Sequence, residues 1–234
     1  KRKIKACKTQ VMSKIKTVGI VGTGVIGTGW IIRNLAHNKI VHAYDQNKNL
    51  KSYVLKEIRR TSKSIKKLFG KKILIKNLKF FNSLEKALVN VDFVQESVLE
   101  NYKVKTDLIQ KISKYVKSDI IISSSSSGLL PSKIFSKSEN PQRGIIGHPF
   151  NPAYLLPAVE IVPGKKTTKK FLLDANKYYK SISMKPIMLK KELPGYLSDR
   201  LQEALWREGL HIINENYATT QELDRAIEDG PGLR

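Results

Sequence analysis

The sequence predicts an α/β protein with a doubly wound, mostly parallel sheet, followed by the start of an all-α C-terminal domain. Short runs of β-branched residues alternate with helical patterns across residues 15–162, and a glycine-rich turn joins the first run to the first helix. After Pro194 the pattern becomes helical and the charge changes sign. Residues 1–191 hold 39 basic and 11 acidic side chains, whereas residues 192–234 hold 4 and 9. These observations place a domain junction near residues 193–195.

The first three predicted elements form a strand–helix–strand unit. Residues 15–22 are rich in β-branched side chains and end on glycine, which predicts a buried strand. Residues 25–38 have helical spacing of their apolar side chains, and residues 40–45 form a second strand that closes on an acid. The alternation continues, with further strands predicted at 78–82, 91–96 and 119–124 and helices near 83–89 and 103–117.

The stretch 48–72 is long, amphipathic and rich in lysine. Two interpretations are open for it. The lysines form the solvated face of a helix, or they attract an anionic substrate or CoA.

The turn after the first strand has the spacing of a dinucleotide site. It reads Gly22-Thr23-Gly24-Val25-Ile26-Gly27, which is G-x-G-x-x-G. The first glycine permits the tight turn, the second lets the backbone approach a pyrophosphate, and the third lets helix pack on strand. Asp45 ends the second strand, where a carboxylate accepts hydrogen bonds from a ribose and repels a 2′-phosphate. The sequence therefore predicts a Rossmann-type site for NAD rather than NADP.

Five consecutive serines, residues 123–127, follow an isoleucine-rich predicted strand. Open parallel sheets bind their ligands at the carboxyl ends of the strands, and a hydroxyl there can donate to a substrate oxygen. The competing interpretation of each serine is a turn former or a helix cap.

His148 and Glu160 lie at the two ends of a proline-rich stretch between two predicted strands. Oxidising an alcohol with NAD requires a base for the hydroxyl proton, and imidazole suits that role because histidine ordinarily titrates near neutral pH. A carboxylate on the other ring nitrogen fixes the tautomer. Alternatively, His148 caps a strand and Glu160 is a satisfied buried acid. The remaining histidines, His37, His42 and His211, are expected to be structural, and no metal-ligand cluster is expected.

The net charge of +23 raises the question of nucleic-acid binding. Most of the 43 basic residues are lysines spread over nearly every segment, and no basic run alternates with aromatic residues that would stack on bases. We therefore expect no nucleic-acid partner. The single cysteine, Cys7, cannot form an internal disulfide, and no apolar stretch approaches the length of a membrane span. A cytoplasmic protein without membrane association is the expectation, with basic residues 1–11, before Met12, as a disordered extension.

Several motifs together resemble one family. They are GTGVIG (22–27), FVQESVLENYKVK (93–105), the serine run before GLLPS (128–132), HPFNP (148–152), VEIV (159–162) and PGYLSDRLQEALWREGLHIINE (194–215). This set is similar to the 3-hydroxyacyl-CoA dehydrogenase family over roughly residues 14–234, and most similar to its branch of L-carnitine and L-gulonate dehydrogenases. The resemblance implies an NAD-binding domain over residues 12–193 and an incomplete helical domain over residues 194–234. In this family the helical domain forms the interface of a homodimer, so the resemblance also implies a homodimer.

The resemblance also implies roles for individual residues. His148 matches the family's catalytic base, Glu160 its orienting partner and Ser127 the hydroxyl near the reacting oxygen. The positions that contact the cofactor in the family are matched by Gly22, Thr23, Gly24, Val25, Ile26, Gly27, Asp45, Glu100 and Lys105. Asp199 stands where the family has an asparagine, and an ionised aspartate accepts hydrogen bonds but donates none.

The function expected from the residues and the resemblance is NAD-dependent oxidation of the secondary alcohol of a small 3-hydroxy acid, with L-carnitine as the first candidate. A 3-hydroxyacyl-CoA substrate is the alternative within the same chemistry. The alternative from another class is a dinucleotide-binding protein whose catalysis is impaired by Asp199 and by the incomplete helical domain.

Overall fold

A computed structural model describes residues 14–233, and the predicted N-terminal extension, with Cys7 and Met12, lies outside them. The strands are β1 (Thr17–Val21), β2 (Ile40–Tyr44), β3 (Leu78–Phe81), β4 (Phe93–Glu96), β5 (Ile121–Ser124), β6 (Gly144–Pro149), β7 (Ala158–Pro163) and β8 (Lys185–Met188). The helices are α1 (Val25–Ala36), α2 (Leu50–Phe69), α3 (Leu84–Leu88), α4 (Tyr102–Tyr115), α5 (Pro131–Ile134), α6 (Lys169–Ser181), α7 (Ser198–Asn214) and α8 (Thr220–Asp229). Short 3-10 turns cover Ile75–Asn77, Pro141–Arg143 and Pro231–Leu233.

One sheet organises the first part of the chain. Its strand order is β3-β2-β1-β4-β5-β6-β7-β8. All neighbouring strands run parallel except β6 and β7, which pair antiparallel. The order reverses direction at β1, which is the switch point where such sheets bind ligands. The predicted fold class, a doubly wound and mostly parallel sheet followed by helices, is confirmed.

Helix α1 is buried on almost every side. Its residues from Gly27 to Ala36 are all buried, including the polar Arg33 and Asn34. Such a helix lies in the middle of a core rather than on its surface. The Asn34 side chain is satisfied within that core, since it donates to Trp30 O at 2.9 Å and accepts from the Tyr178 hydroxyl at 2.8 Å.

The lysine-rich stretch forms an amphipathic helix, α2, and both interpretations of its lysines remain open. Val54, Ile58, Thr61 and Ile65 form one buried stripe at spacings of three and four residues, as expected for an amphipathic helix. The lysines of α2 are exposed. The helix ends at Gly70, whose φ of 64° is left-handed, a conformation that glycine adopts at low cost.

Apart from the 3-10 turns, three elements were not predicted from the sequence: α5, α6 and β8. Helix α6 and strand β8 follow β7 in a lysine-rich segment. The lysines make this segment polar on average, so the apolar residues that α6 buries give only a weak sequence signal. The buried side chains of α6 are Phe171, Ala175, Tyr178 and Tyr179. Strand β8 is only four residues long and lies at the sheet edge. A short edge strand needs few apolar residues, so its sequence signal is weak.

The described residues form two compact units, which are divided between Pro194 and Gly195. The second unit holds α7 and α8. Thr219 and Glu222 form a capping box at the start of α8, with each side chain bonded to the other's backbone N–H. Among residues 14–233, no helix is both long and apolar enough to cross a membrane.

His37, at the end of α1, is a buried titratable group. Its ring bonds to Arg33 O and to the Ser183 hydroxyl, both at 2.8 Å. The pKa of His37 is lowered to about 4, chiefly by burial. The hydrogen bond to Arg33 O opposes this shift, and the nearby Lys71 and Arg33 charges add to it. In the unfolded chain the imidazole ordinarily titrates near 6.5, so the unfolded state binds the proton first as pH falls.

The folded state should therefore lose stability as the pH falls from about 6.5 to about 4, by up to about 3 kcal/mol from His37 alone. Urea unfolding at pH 6.5, 5.5 and 4.5 should show a steeper decline for the wild-type chain than for His37→Gln. The exposed His211 offers the matched control, and His211→Gln should keep the wild-type slope. Equal slopes for wild type and His37→Gln would contradict this assignment.

Candidate active site

The glycine turn between β1 and α1 has the geometry that its spacing requires. Gly22 has a φ of 88°, and a Cβ there would lie 2.7 Å from the backbone of Ser97. A Cβ on Gly27 would lie 1.9 Å from Gly22 O, so only glycine lets α1 approach the turn. At Gly24, by contrast, a Cβ would meet nothing within 4 Å. The second glycine therefore faces open space, which leaves its backbone accessible to a ligand.

Asp45 lies at the carboxyl end of β2 beside this turn. Its Oδ2 accepts hydrogen bonds from Thr23 N at 2.6 Å and from Thr23 Oγ1 at 3.2 Å, and its Oδ1 accepts from Asn47 N at 2.9 Å. Of the remaining turn residues, Val25 is 59% exposed at the first position of α1, and Ile26 packs partly against the core. The carboxylate is thus fixed in place at the mouth of the turn.

A cleft of about 710 Å³ opens next to Asp45. Its lining includes Val21, Gly22, Gly24, Tyr44, Asp45, Ser97 and Val98. The cleft is of ligand-binding size, it lies at the carboxyl ends of β1, β2 and β4, and the open face of Gly24 borders it. These features fit a dinucleotide, whose pyrophosphate would lie against the N-terminus of α1 and whose ribose would meet Asp45.

Glu96 and Lys105 form a buried ion pair below the cleft. Lys105 Nζ lies 2.8 Å from Glu96 Oε1 and 3.4 Å from Glu100 Oε2, and the side chains of Lys105 and Glu96 are 1% and 0% exposed. The other oxygen of Glu96 accepts from the Ser124 hydroxyl at the end of β5. Lys105, which the resemblance matched to a cofactor contact, is thus committed to two carboxylates and holds them in place.

Glu100 arranges the serine segment that follows β5. Its Oε1 accepts from the Ser126 hydroxyl, from Ser127 N at 2.9 Å and from Gly128 N at 3.3 Å. The Ser127 side chain itself is exposed, and its contribution in this structure is its backbone N–H. The acid and the serine run, singled out separately in the sequence, are therefore parts of one hydrogen-bonded loop.

A second buried network connects the sheet to α1 and α6. Ser125 Oγ accepts from Trp30 Nε1 at 3.0 Å and from Gln95 Nε2 at 2.8 Å. Tyr179 donates to Gln95 Oε1 at 2.7 Å and bonds to Ser123 Oγ at 2.8 Å. Burial raises the pKa of Tyr179, so its hydroxyl keeps its proton as a donor. A glutamine inside an apolar strand was the sequence signal for this network, and its partners are distant in sequence.

His148 and Glu160 are brought together by the one antiparallel pairing in the sheet. They are directly opposite in the register of β6 and β7. His148 Nδ1 lies 2.9 Å from Glu160 Oε2, and the two residues are 6% and 0% exposed. A carboxylate accepts, so Nδ1 carries the proton and Nε2 is the basic ring nitrogen. His148 stands near the end of β6, at the same edge of the sheet as Ser124 and Glu96.

The proline-rich excursion between His148 and Glu160 is held by α1. Arg33 Nε donates to Ala153 O at 3.1 Å, and Arg33 Nη2 donates to Leu156 O at 2.8 Å. A Cβ on Gly29 would lie 3.0 Å from the Ala153 Cβ, so helix and excursion are in close contact. Burial lowers the pKa of Arg33 to about 10, which leaves it charged near neutral pH.

The remaining predicted residues belong to other elements. Asp199 lies in the first turn of α7, in the second unit. His42 bonds to Ala87 O at 3.1 Å, and His37 is fixed in the core as described above. No group of three or more His, Cys, Asp or Glu side chains with a metal-binding arrangement occurs among the described residues.

Comparisons with known proteins agree with this architecture. Residues 17–193 match the family model described as 3-hydroxyacyl-CoA dehydrogenase, NAD binding domain. The chain is 44% identical to L-carnitine dehydrogenase of Oceanobacillus iheyensis over 221 residues, which cover 94% of this chain and 72% of the relative. It is also 44% identical to L-carnitine dehydrogenase of Pseudomonas putida over 224 residues, 95% of this chain and 70% of the relative.

A solved structure shows the same fold. The 3-hydroxybutyryl-CoA dehydrogenase of Escherichia coli K12 superposes with a TM-score of 0.81 at 22% identity, covering 92% of this chain and 46% of that one. The predicted family, the NAD cofactor and the enzyme class, an NAD-dependent dehydrogenase acting on a CH–OH group, are confirmed by these matches. The chain belongs to the 3-hydroxyacyl-CoA dehydrogenase family.

Proposed function

We propose that this dehydrogenase oxidises L-carnitine at its secondary alcohol to the corresponding 3-oxo acid. The observation that carries the proposal is the buried pair of His148 and Glu160, fixed in register at the edge of the sheet where the cofactor turn lies. The names of the relatives at 44% identity support carnitine as the substrate.

His148 is the proposed base. Its Nε2 takes the hydroxyl proton of the substrate, because Nδ1 already carries the proton shared with Glu160. Glu160 keeps the ring in this tautomer and balances the positive charge that the ring acquires. NAD, when bound, supplies the acceptor for the hydride that leaves the carbinol carbon. Both His148 and Glu160 are buried, and this burial keeps water away from the two side chains.

The proposed cofactor contacts are the glycine turn, residues 22–27, and Asp45. The turn offers backbone N–H groups at the start of α1, and the Asp45 carboxylate accepts from a ribose hydroxyl. Glu100 and Lys105 position the serine segment, and Ser127 is the proposed hydrogen-bond donor to the substrate oxygen. We also propose the domain limits 12–193 and 194–234, and Asp199 as a residue of the catalytic region.

A 3-hydroxyacyl-CoA substrate remains the alternative for the same chemistry, since the family as a whole takes its name from such substrates. The relatives with high identity over most of the chain favour the carnitine reaction over it. They also favour an active enzyme over an impaired dinucleotide-binding protein.

We further propose a cytoplasmic homodimer. Helix α7 presents four large apolar side chains to solvent, Leu201, Leu205, Trp206 and Leu210, which are 72%, 55%, 66% and 55% exposed. Apolar side chains gathered in this way on a surface are typical of an interface.

The His148 pair leads to a kinetic prediction. His148→Gln should lower kcat by about a thousandfold, because general base catalysis contributes about 10² to 10⁴. Glu160→Gln should also lower kcat, by about a hundredfold or more, because an amide does not balance an imidazolium. The Kd for NAD, measured by titration, should stay unchanged in both variants. His42→Gln is the matched control and should turn over normally. Wild-type kcat in His148→Gln would refute the proposed base.

The substrate prediction rests on side-by-side turnover of L-carnitine, L-gulonate and 3-hydroxybutyryl-CoA. We expect kcat/KM for L-carnitine to exceed the others by at least about tenfold, the discrimination that a few pocket contacts provide. Activity confined to the CoA thioester would replace carnitine by the alternative while leaving the base and cofactor assignments intact.

The dimer predicts a mass twice the 26.5 kDa of the chain in light scattering. Replacing Leu201 and Leu205, one turn apart on α7, by glutamate should give the monomer, because burying a charge in an apolar interface is unfavourable. Gln202→Glu on the same helix adds a charge without removing apolar surface and should leave the mass unchanged. A wild-type mass of a single chain would overturn the dimer.

A further inference from the structure

A second cleft, of about 680 Å³, lies at the opposite end of the strands from His148. It is lined by Leu130, Pro163, Gly164, Lys165, Thr167, Lys169, Leu172, Lys190, Lys191, Glu192 and Pro194. Pro163 pairs with Ile145, near the start of β6, whereas Glu160 pairs with His148, near its end. Three residues of strand, about 10 Å, separate Pro163 from Glu160. The cleft is therefore not part of the site described above.

The walls of this cleft are strongly basic. Lys165 lies between β7 and α6, and Lys169 is the first residue of α6. Lys190 and Lys191 come from the segment after β8. All four are exposed, and none forms an ion pair with another residue of the described chain. A neighbouring hollow of about 290 Å³ shares Lys165 and adds Lys166, with no acidic residue in its lining.

The single acid in the cleft is already satisfied. Glu192 accepts from Ser132 N at 2.9 Å with one oxygen and from Ser132 Oγ at 2.7 Å with the other. Its charge is thereby directed at α5, and it ties the segment after β8 to that helix. The four ammonium groups remain without a carboxylate partner in a concave surface.

The general lysine excess of the protein does not account for this distribution. The cofactor cleft, of similar volume, is lined by three acids, Asp45, Glu85 and Asp107, and by one lysine, Lys111. A uniform lysine bias would give the two clefts similar linings. The contrast marks the second cleft as a place where positive charge is concentrated, and clefts focus the electrostatic field of such charges.

We propose that this basic cleft binds a small molecule carrying several phosphate charges. Its volume is that of a nucleotide-sized ligand. Its cations are all lysines, whose ammonium groups are compact point charges with rotatable donors and can bind phosphate oxygens. Four lysines exceed what a single carboxylate can use, so the ligand is a pyrophosphate or polyphosphate group rather than a monoanion. The site is independent of the proposed oxidation reaction.

Isothermal titration with inorganic tripolyphosphate tests the proposal on the full chain at 150 mM salt. NAD is present at saturation, so that the glycine turn does not compete for the probe. We expect saturable binding with one site per chain. Lys165→Gln combined with Lys190→Gln, one lysine from each wall, should raise Kd by about tenfold, as expected for two exposed charge pairs.

The control removes the same charge elsewhere. Lys63→Gln with Lys67→Gln lies on the exposed face of α2 and should change Kd less than twofold. Equal weakening by both double variants would show attraction by net charge alone and would overturn the site. So would the absence of saturable binding when NAD is bound. Carnitine turnover measured on the same variants should stay unchanged, which separates the fate of this site from that of the proposed reaction.

Discussion

The close burial of α1 is the constraint on which the rest of the structure depends. Its N-terminus meets the glycine turn, where a Cβ on Gly27 would overlap Gly22 O. One turn later Trp30 donates to Ser125, and Arg33 holds the excursion that carries Ala153. One helix therefore places the cofactor turn, the serine segment and the chain next to His148. Because packing at this density leaves little room for adjustment, a change in α1 would be felt at all three.

The reversal of direction between β6 and β7 has a chemical consequence. In a parallel pair the two strand ends at the ligand edge come from segments that a crossover separates, and residues opposite each other are far apart in the chain. The antiparallel pairing instead sets Glu160 directly opposite His148 with only twelve positions between them. Both side chains then point to the same face of the sheet, so the carboxylate reaches the ring without a loop of its own. An enzyme of this kind gains a rigidly oriented imidazole from the sheet itself.

The sequence was informative where a signal is local, and silent where a contact joins distant segments. The glycine turn and the strand before Asp45 follow from periodicity and spacing within short windows. Spacing alone left the pairing of His148 with Glu160 open, and the resemblance to a known family favoured it. The ion pair of Lys105 with Glu96 could not be predicted in this way. In the sequence, Lys105 has the pattern of a solvated lysine on an amphipathic helix, and only the fold brings Glu96 next to it. The same holds for Tyr179, whose partners Gln95 and Ser123 lie 84 and 56 positions away. Helix α6 was missed since its lysines lower the mean hydropathy of a segment that still buries one face.

Two fully buried carboxylates, Glu96 and Glu160, differ in the partner that each has been given. Glu96 is paired with the ammonium of Lys105, which it shares with Glu100, and it accepts from the Ser124 hydroxyl, so it serves to hold the serine segment. Glu160 faces the imidazole of His148. A carboxylate stabilises a cationic ring more than a neutral one, because opposite charges attract. In the proposed reaction the ring becomes cationic when the hydroxyl proton is transferred to His148. The stabilisation from Glu160 therefore grows as the substrate is oxidised, whereas that from Glu96 is constant, and only the former lowers a barrier.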